Sequence, residues 1–203
     1  MDDFWTDASD SSLGERDLEV LNLITQEALS TFTFDGLKRR LGLHSETLSR
    51  ILNRLEQEEL VEKDPEGYRV TGKISRFPAS RCFGVEASQA PLLQTLIPSN
   101  VSVKNLVQSL KGKWFGMLRW LGYTEGQDAV SLKWVTEDGS IQVSANISET
   151  ALAIYAKFLG DKDLDMALTA SHQLMTHISK VCSRSQFVRH VGFFGFDGQL
   201  MSA

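Results

Sequence analysis

Residues 42–54 read GLHSETLSRILNR and indicate a tight turn that leads into a helix. Gly42 is suited to end a preceding helix, because glycine adopts the left-handed conformation at low cost. In the helix that follows, expected over 45–57, apolar residues recur at i, i+3, i+4 and i+7 and define one buried stripe. These residues are Leu48, Ile51, Leu52 and Leu55. The polar residues around the start of this helix would therefore face outward.

The elements on either side follow from the same kind of pattern. Apolar residues at helical spacing predict a first helix over 15–30 and a second, short helix over 34–41. After the quoted stretch, two β-prone runs lie on either side of an Asp-Pro-Glu-Gly turn at 64–67, which favours a hairpin. The order predicted for residues 15–75 is thus three helices followed by a hairpin.

This region also carries a known sequence pattern. The run G-L-x-S-x-T-L-S-R-x-L-x-x-L-E over 42–56, then L-V at 60–61 and G-Y-R-V-T-x-K over 67–73, resembles the winged helix-turn-helix transcription regulators of the MarR and ArsR type. The resemblance covers residues 15–75. It implies a winged-helix domain whose third helix, the recognition helix, enters the major groove of DNA, with the hairpin as the wing.

The wing departs from the family pattern at two places. Glu59 stands where these regulators often have a glycine before the Leu-Val of the wing. The wing tip carries Asp64 and Glu66, where a wing that contacts DNA would favour Arg or Lys. These acids argue against a minor-groove role for the wing and leave the recognition helix as the main reader.

The charge of the chain is acidic overall but locally positive. The net charge of −5 by itself counts against nucleic acid as a partner. Residues 1–19 carry seven acids and one base, however, whereas residues 35–54 carry five bases and two acids. The positive charge is therefore confined to the second helix and the recognition helix.

The resemblance and this local charge together predict two groups of DNA contacts. Side chains near the start of the recognition helix are expected at base edges, since Arg can bind guanine through two hydrogen bonds and Ser or Thr can meet several bases. This group is Ser45, Glu46, Thr47, Ser49 and Arg50. Basic side chains around it are expected to bind phosphates, which set orientation without reading sequence. This second group is Lys38, Arg39, Arg40 and Arg54.

The second half of the chain predicts a small α+β domain, an antiparallel sheet with helices, over 101–203. Residues 76–100 hold three of the four prolines and little periodicity, which indicates a linker, and residues 1–14 are expected to form an acidic, flexible start. The elements expected in the second domain are a helix near 103–110, strands within 114–123, 129–135 and 141–146, and helices over 149–159 and 163–182.

Two features of this second domain suggest partners. The last helix has a narrow seam with 4-3-4-3-4 spacing, suited to packing along another helix: Leu164, Leu168, Ser171, Met175, Ile178 and Cys182. Together with the apolar tail over 187–196, this seam is a candidate dimer surface.

A group of aromatic and basic residues could line a pocket for a small-molecule effector: Trp120, Arg119, Lys133, Trp134 and Tyr155. The same aromatics could instead form the core of the sheet.

Other classes of protein find little support. Cys82 and Cys182 lie far apart with no C-x-x-C spacing, and the four histidines show no metal-binding motif. No nucleotide loop or nucleophile motif is present, so neither a cofactor nor an enzymatic activity is predicted. No apolar run is long enough for a membrane span, and we expect a cytoplasmic protein.

Two functions remain. In the first, the chain is a sequence-specific transcription regulator that binds double-stranded DNA as a homodimer, with recognition helices spaced by about one turn of DNA. The second domain would then serve dimerisation or effector sensing. In the alternative, the winged helix is a protein-interaction module of a larger complex and does not read DNA directly.

Overall fold

The structure is a computed structural model that describes residues 13–76 and 89–191. Cys82, most of the N-terminal segment 1–14 and the end of the apolar tail lie outside these residues. The described residues form helices and one antiparallel sheet of eight strands, which confirms the α+β class.

The first half of the chain forms the expected three helices and hairpin, with one additional short strand. Its elements are α1 (Glu15–Gln26), β1 (Thr31–Phe32), α2 (Phe34–Leu41), α3 (Ser45–Gln57), β2 (Val61–Asp64), β3 (Gly67–Val70) and a 3₁₀ helix (Gly72–Arg76). α1 ends before the predicted residue 30, and Ala28 takes a positive φ of 48° just after it. Gly42 has a φ of 63° and ends α2, as the sequence indicated.

The second half contains more strand than the sequence indicated. Its elements are β4 (Gln89–Leu96), α4 (Val103–Leu110), β5 (Leu118–Glu125), β6 (Ala129–Thr136), β7 (Ile141–Ser148), β8 (Ala151–Phe158) and α5 (Leu164–Val191). The helix predicted over 149–159 is wrong, because these residues form β8, where burial alternates and the buried residues are Leu152, Ile154 and Ala156. The linker predicted over 76–100 is also wrong for β4, which pairs with β8.

The two halves share one sheet. Its strand order is β2-β3-β1-β5-β6-β7-β8-β4, so the two-residue strand β1 is the junction. Thr31 of β1 lies opposite Arg69 of β3 on one side and Tyr123 of β5 on the other. The sheet therefore continues across the boundary that the sequence suggested between two domains.

Helices lie on both faces of this sheet, over two apolar cores. α4 and α5 pack on one face, where Trp134, Leu132 and the alternate residues of β7 and β8 are buried. The other core is formed by α1, α2 and α3 with the short strands around Phe32. α2 also contacts β5 and β6, which brings the first half against the second face of the sheet.

Candidate nucleic-acid interface

The first turns of α3 expose polar side chains, while the apolar stripe of the same helix is fully buried. Leu48, Ile51, Leu52 and Leu55 are all at most 1% exposed, which confirms the predicted stripe. His44 caps the helix, because its imidazole Nδ1 accepts a hydrogen bond from the backbone N–H of Glu46 at 3.4 Å. Of the residues predicted at base edges, Ser45, Glu46, Ser49 and Arg50 are exposed and Thr47 is half-buried.

Within this surface, Arg50 already has an acidic partner. Its guanidinium lies 2.5 Å from the Glu46 carboxylate one helical turn earlier, and the two side chains are 70% and 66% exposed. The i,i+4 geometry is the one in which such pairs stabilise a helix, although an exposed pair contributes little. Arg50 is therefore accessible, but a base would have to compete with Glu46 for it.

Of the four predicted phosphate contacts, Lys38 lies beside this surface. Lys38 is 34% exposed, and its ammonium is 3.3 Å from the Ser45 hydroxyl and 3.9 Å from the Asp35 carboxylate. Arg39 donates a hydrogen bond to the Asp35 carbonyl at 3.2 Å. Lys38 therefore borders the start of α3, whereas Arg39 lies on the side of α2 that faces Trp114, with its guanidinium 5.9 Å from the ring centroid.

The third predicted phosphate contact, Arg54, binds another part of the protein. Its guanidinium donates two hydrogen bonds, at 2.9 and 2.6 Å, to the carboxylate of Asp17, which is 1% exposed. These hydrogen bonds raise the pKa of Arg54. Arg54 thus joins α3 to α1. Asp17 occupies the same helical stripe as Val20, Leu21 and Ile24, and that position was the sequence signal for its burial.

The fourth, Arg40, faces the sheet instead of solvent, contrary to our expectation. Its side chain is 13% exposed, and it lies 3.7 Å from the Glu27 carboxylate. It also donates a hydrogen bond to the Gln142 side chain on β7 at 3.0 Å. Burial lowers the pKa of Arg40, although the charge of Glu27 opposes this effect. Consecutive residues of an α-helix lie about 100° apart around its axis, so the three consecutive bases of α2 cannot all share one face.

Glu27 is the centre of a buried charge cluster, which the sequence did not reveal. Its carboxylate accepts hydrogen bonds from Lys133 at 3.0 Å, Lys157 at 2.6 Å and Gln142 at 2.8 Å. Burial by itself would raise the pKa of the Glu27 carboxyl, but the charge of Lys133 and the hydrogen bonds from Lys157 and Gln142 prevail and lower it to about 2. The cluster ties the end of α1 to three strands of the second half.

The residues predicted to line one effector pocket are divided between the two faces of the sheet. Trp120 and Trp134 lie in the core beneath α4 and α5, with ring centroids 5.3 Å apart. Lys133 belongs to the buried charge cluster on the opposite face, and Tyr155 lies on that face two strands away. The aromatics of this group are thus mainly core, and the pocket as predicted is not formed.

A different cleft lies where α2, the turn between β2 and β3, and β5 meet. It has a volume of about 280 Å³, and Arg39, Glu66, Lys111, Trp114 and Trp120 contribute to its lining. Trp114 is 57% exposed, and the guanidinium of Arg119 lies 4.8 Å from its ring centroid. Residues from both halves of the chain line this cleft, so a small molecule bound there could contact both halves at once.

The hairpin that the sequence identified as the wing carries balanced charge. Arg69 pairs with Asp64 and, at 3.5 Å, with Glu62. Lys63 lies 2.9 Å from Glu56 of α3. Glu66, at the turn, is exposed. These acids would oppose phosphate binding by the hairpin, in agreement with the expectation from the sequence.

No group of three His, Cys, Asp or Glu side chains that could hold a metal occurs in 13–76 or 89–191. Within the same residues, no helix is long and apolar enough to cross a membrane. Comparison of the chain with protein-family models, with curated proteins and with solved structures finds no match.

Proposed function

We propose that this chain is a sequence-specific DNA-binding transcription regulator whose first half is a winged helix-turn-helix domain. The observation that carries the proposal is the polar start of α3, which projects from a fully buried stripe and is bordered by one cation of α2, Lys38. The order of three helices and a hairpin, together with the sequence resemblance, supports the assignment of α3 as a recognition helix.

In this proposal, α3 enters the major groove and reads bases through its first turns. Ser45, Ser49 and Arg50 are the exposed donors closest to base edges, and Arg50 would bind a guanine. Glu46 then has two roles, since it holds Arg50 in the free protein and can accept from a cytosine amino group in the complex.

The phosphate contacts of the proposal are fewer than the sequence suggested. Lys38 is available beside α3 and Arg39 lies towards Trp114, whereas Arg40 and Arg54 are occupied by buried carboxylates. A single domain would therefore bind DNA weakly, and two domains in a homodimer would supply the affinity that a specific site needs. The second half of the chain is proposed to provide that dimerisation, with the cleft at Trp114 as the place for an effector.

The alternative is a protein-docking module, and one observation favours it. Most bases on the surface of the first half have an acidic neighbour, as in the pairs Arg50–Glu46, Lys63–Glu56 and Arg69–Asp64. A surface so balanced attracts phosphates weakly. The two functions differ in how binding to duplex DNA responds to salt, since phosphate contacts release counterions and weaken steeply as salt rises.

The test is retention of the purified full chain on a random duplex pool at low salt, followed by selection of bound sequences. The regulator predicts salt-sensitive retention and an enriched motif. The double variant Lys38→Ala/Arg39→Ala should weaken binding to all sequences alike and reduce the salt dependence, whereas Arg16→Ala, a base outside α2 and α3, serves as the matched control. No retention at low salt, with the protein folded, would refute DNA binding and favour the docking module.

A further inference from the structure

The sheet ends on β4, and the outer edge of this strand pairs with no other strand of the described chain. Free edges are templates for pairing with another chain, and proteins usually protect them with charges, prolines or bulges. β4 reads QAPLLQTL, and residues 87–103 contain no Asp, Glu, Lys or Arg. Pro91 and the irregularity between Pro91 and Leu93 protect the first part of β4 only. The stretch from Leu93 to Leu96 is an unprotected edge.

The same edge exposes apolar side chains. Leu93 and Leu96 of β4 are 36% and 78% exposed, and Leu164 and Leu168 of α5 are 47% and 46% exposed. The described residues expose six large hydrophobic side chains, and the other two are Leu18 and Trp114. Four of the six therefore belong to these two neighbouring elements.

α5 turns this apolar side towards β4. Its buried side, with Ala167, Ala170, Leu174 and Ile178, faces the sheet. On one flank of that side, Gln173 accepts a hydrogen bond from the backbone of Met117, which precedes β5. Leu164 and Leu168 lie on the opposite flank, and α5 contacts β4. The strand edge, with Leu93 on the face that α5 covers, and the helix flank thus form one two-layered surface, which we call the β4–α5 edge. Leu96, opposite Ala151, lies on the other face of the sheet at the same edge.

We propose that the β4–α5 edge binds the same edge of a second copy of this chain. Antiparallel pairing of β4 with its counterpart is self-complementary, and an uncharged strand can approach its own copy without repulsion. The two-fold axis of such a pair is perpendicular to the sheet. It brings α5 of both copies to the same face, where Leu164 and Leu168 can pack across the interface. The contribution of this dimer to DNA recognition rests on the proposed function, but the interface itself does not.

This arrangement changes the DNA site that the sequence suggested. β2 and β4 are the two ends of the eight-stranded sheet, so each recognition module lies at the end far from the dimer axis. With about 4.8 Å between neighbouring strands, the two modules stand up to about 70 Å apart, near two turns of DNA. Half-sites about two turns apart are therefore expected, in place of the single turn inferred from the sequence.

The interface is tested first through the mass of the full chain in solution, measured by light scattering during gel filtration at micromolar concentration. The wild type should have twice the 22.7 kDa mass of the chain. Leu93→Lys/Leu96→Lys should reduce the mass to that of one chain and keep the wild-type circular dichroism spectrum. Leu18→Lys, at a leucine of α1 that is 39% exposed against 36% for Leu93, should remain dimeric. A monomeric wild type, or a folded double variant that stays dimeric, would overturn the proposal.

A cross-linking measurement covers the case in which the lysine variants do not fold. In a background with both native cysteines changed to serine, cysteines placed singly at Leu93, Gln94 and Thr95 should yield a disulfide-linked dimer at the position nearest the two-fold axis. Glu62→Cys, on the edge strand β2, is the control and should run as a monomer in non-reducing gel electrophoresis. If none of the three β4 cysteines formed a disulfide-linked dimer, the proposed interface would be overturned. A cross-linked dimer that duplex DNA does not retain would uphold the interface and overturn the proposed regulator.

Discussion

Glu27 and Lys157 form a direct ion pair, with 2.6 Å between carboxylate and ammonium, although 130 positions separate them in the chain. Glu27 directly follows α1, and Lys157 lies on β8, next to the edge strand β4. The Glu27 side chain is 2% exposed and that of Lys157 is 17% exposed, so the pair is largely shielded from water. Lys133 and Arg40 complete the cluster. A single carboxylate thus faces three cations where the two halves of the chain meet.

The first prediction concerns the charge of Glu27. Glu27→Gln keeps the size of the side chain but leaves Lys133, Lys157 and Arg40 without a buried counter-charge. Removal of one partner of a buried ion pair costs about 3–5 kcal/mol, so the free energy of unfolding should fall by about that amount. Urea denaturation measures it. Glu19→Gln, an exposed acid of α1, should change stability by less than about 0.5 kcal/mol. Equal stabilities of the two variants would show that the cluster does not hold the halves together.

The second prediction concerns the pH dependence that this carboxylate gives to stability. Its pKa falls from 4.5 to about 2 on folding, so the unfolded chain binds the proton more readily than the folded one. The stabilisation is therefore complete above about pH 4.5 and is lost as the pH falls towards 2, and it amounts to about 3 kcal/mol. The difference in unfolding free energy between wild type and Glu27→Gln should shrink between about pH 4.5 and 3. A difference that stays constant over this range would contradict the lowered pKa.

The features that could be predicted from the sequence are those that depend only on residues close together in the chain. The stripe of α3 and the turn at Gly42 depend on neighbouring residues, and both agree with the structure. β8 was taken for a helix, because Leu152, Tyr155 and Phe158 also have helical spacing and only pairing with β7 and β4 decides between the two periods. The strand of residues 89–96 was missed because the prolines and weak periodicity of 76–100 indicated a linker, and only its pairing with β8 reveals it.

In the candidate site, too, contacts between near neighbours in the chain could be predicted and contacts between distant residues could not. Arg50 and its partner Glu46 are four residues apart, and their pairing could be inferred from the helix. Arg40 lies beside Glu27, which follows α1, and Arg54 binds Asp17 within α1. Neither pairing could be inferred from α2 or α3 alone. A count of charges by segment therefore overestimated the positive charge that is free to meet DNA.

The third prediction concerns the junction between the two halves. Gly122 of β5 lies against β1 so closely that an added Cβ would be 2.2 Å from the carbonyl oxygen of Thr31. Gly122→Ala should therefore force β1 away from β5 and lower the unfolding free energy by about 1–3 kcal/mol. Backbone amides that bridge the junction should also exchange their hydrogens faster, above all those of Ser30 and Thr33. Gly160→Ala is the control, since nothing lies within 4 Å of its added Cβ. If both variants behaved like the wild type, the junction would be looser than the structure indicates.

The fourth prediction concerns the pair Glu46 and Arg50 in the proposed complex with DNA. Arg50→Ala should weaken binding to the selected sequence by about 1–3 kcal/mol and bring it closer to that of random duplex, because a contact to a base edge is lost. Glu46→Gln should act in the opposite direction on random duplex, since it frees Arg50 and removes a carboxylate from the neighbourhood of phosphates. Affinity for all sequences should then rise while discrimination between them falls.

The double variant separates this mechanism from a simple change of net charge. If Glu46 acts by holding Arg50, its removal should have a smaller effect when Arg50 is already alanine, and the two substitutions should not be additive. If Glu46 acts only as a negative charge near phosphates, the effects should add. Titrations of the selected and random duplexes at one salt concentration measure both outcomes. Should Arg50→Ala bind both duplexes as the wild type does, α3 would not be the reader, and its exposed start would be better explained as a surface for a protein partner.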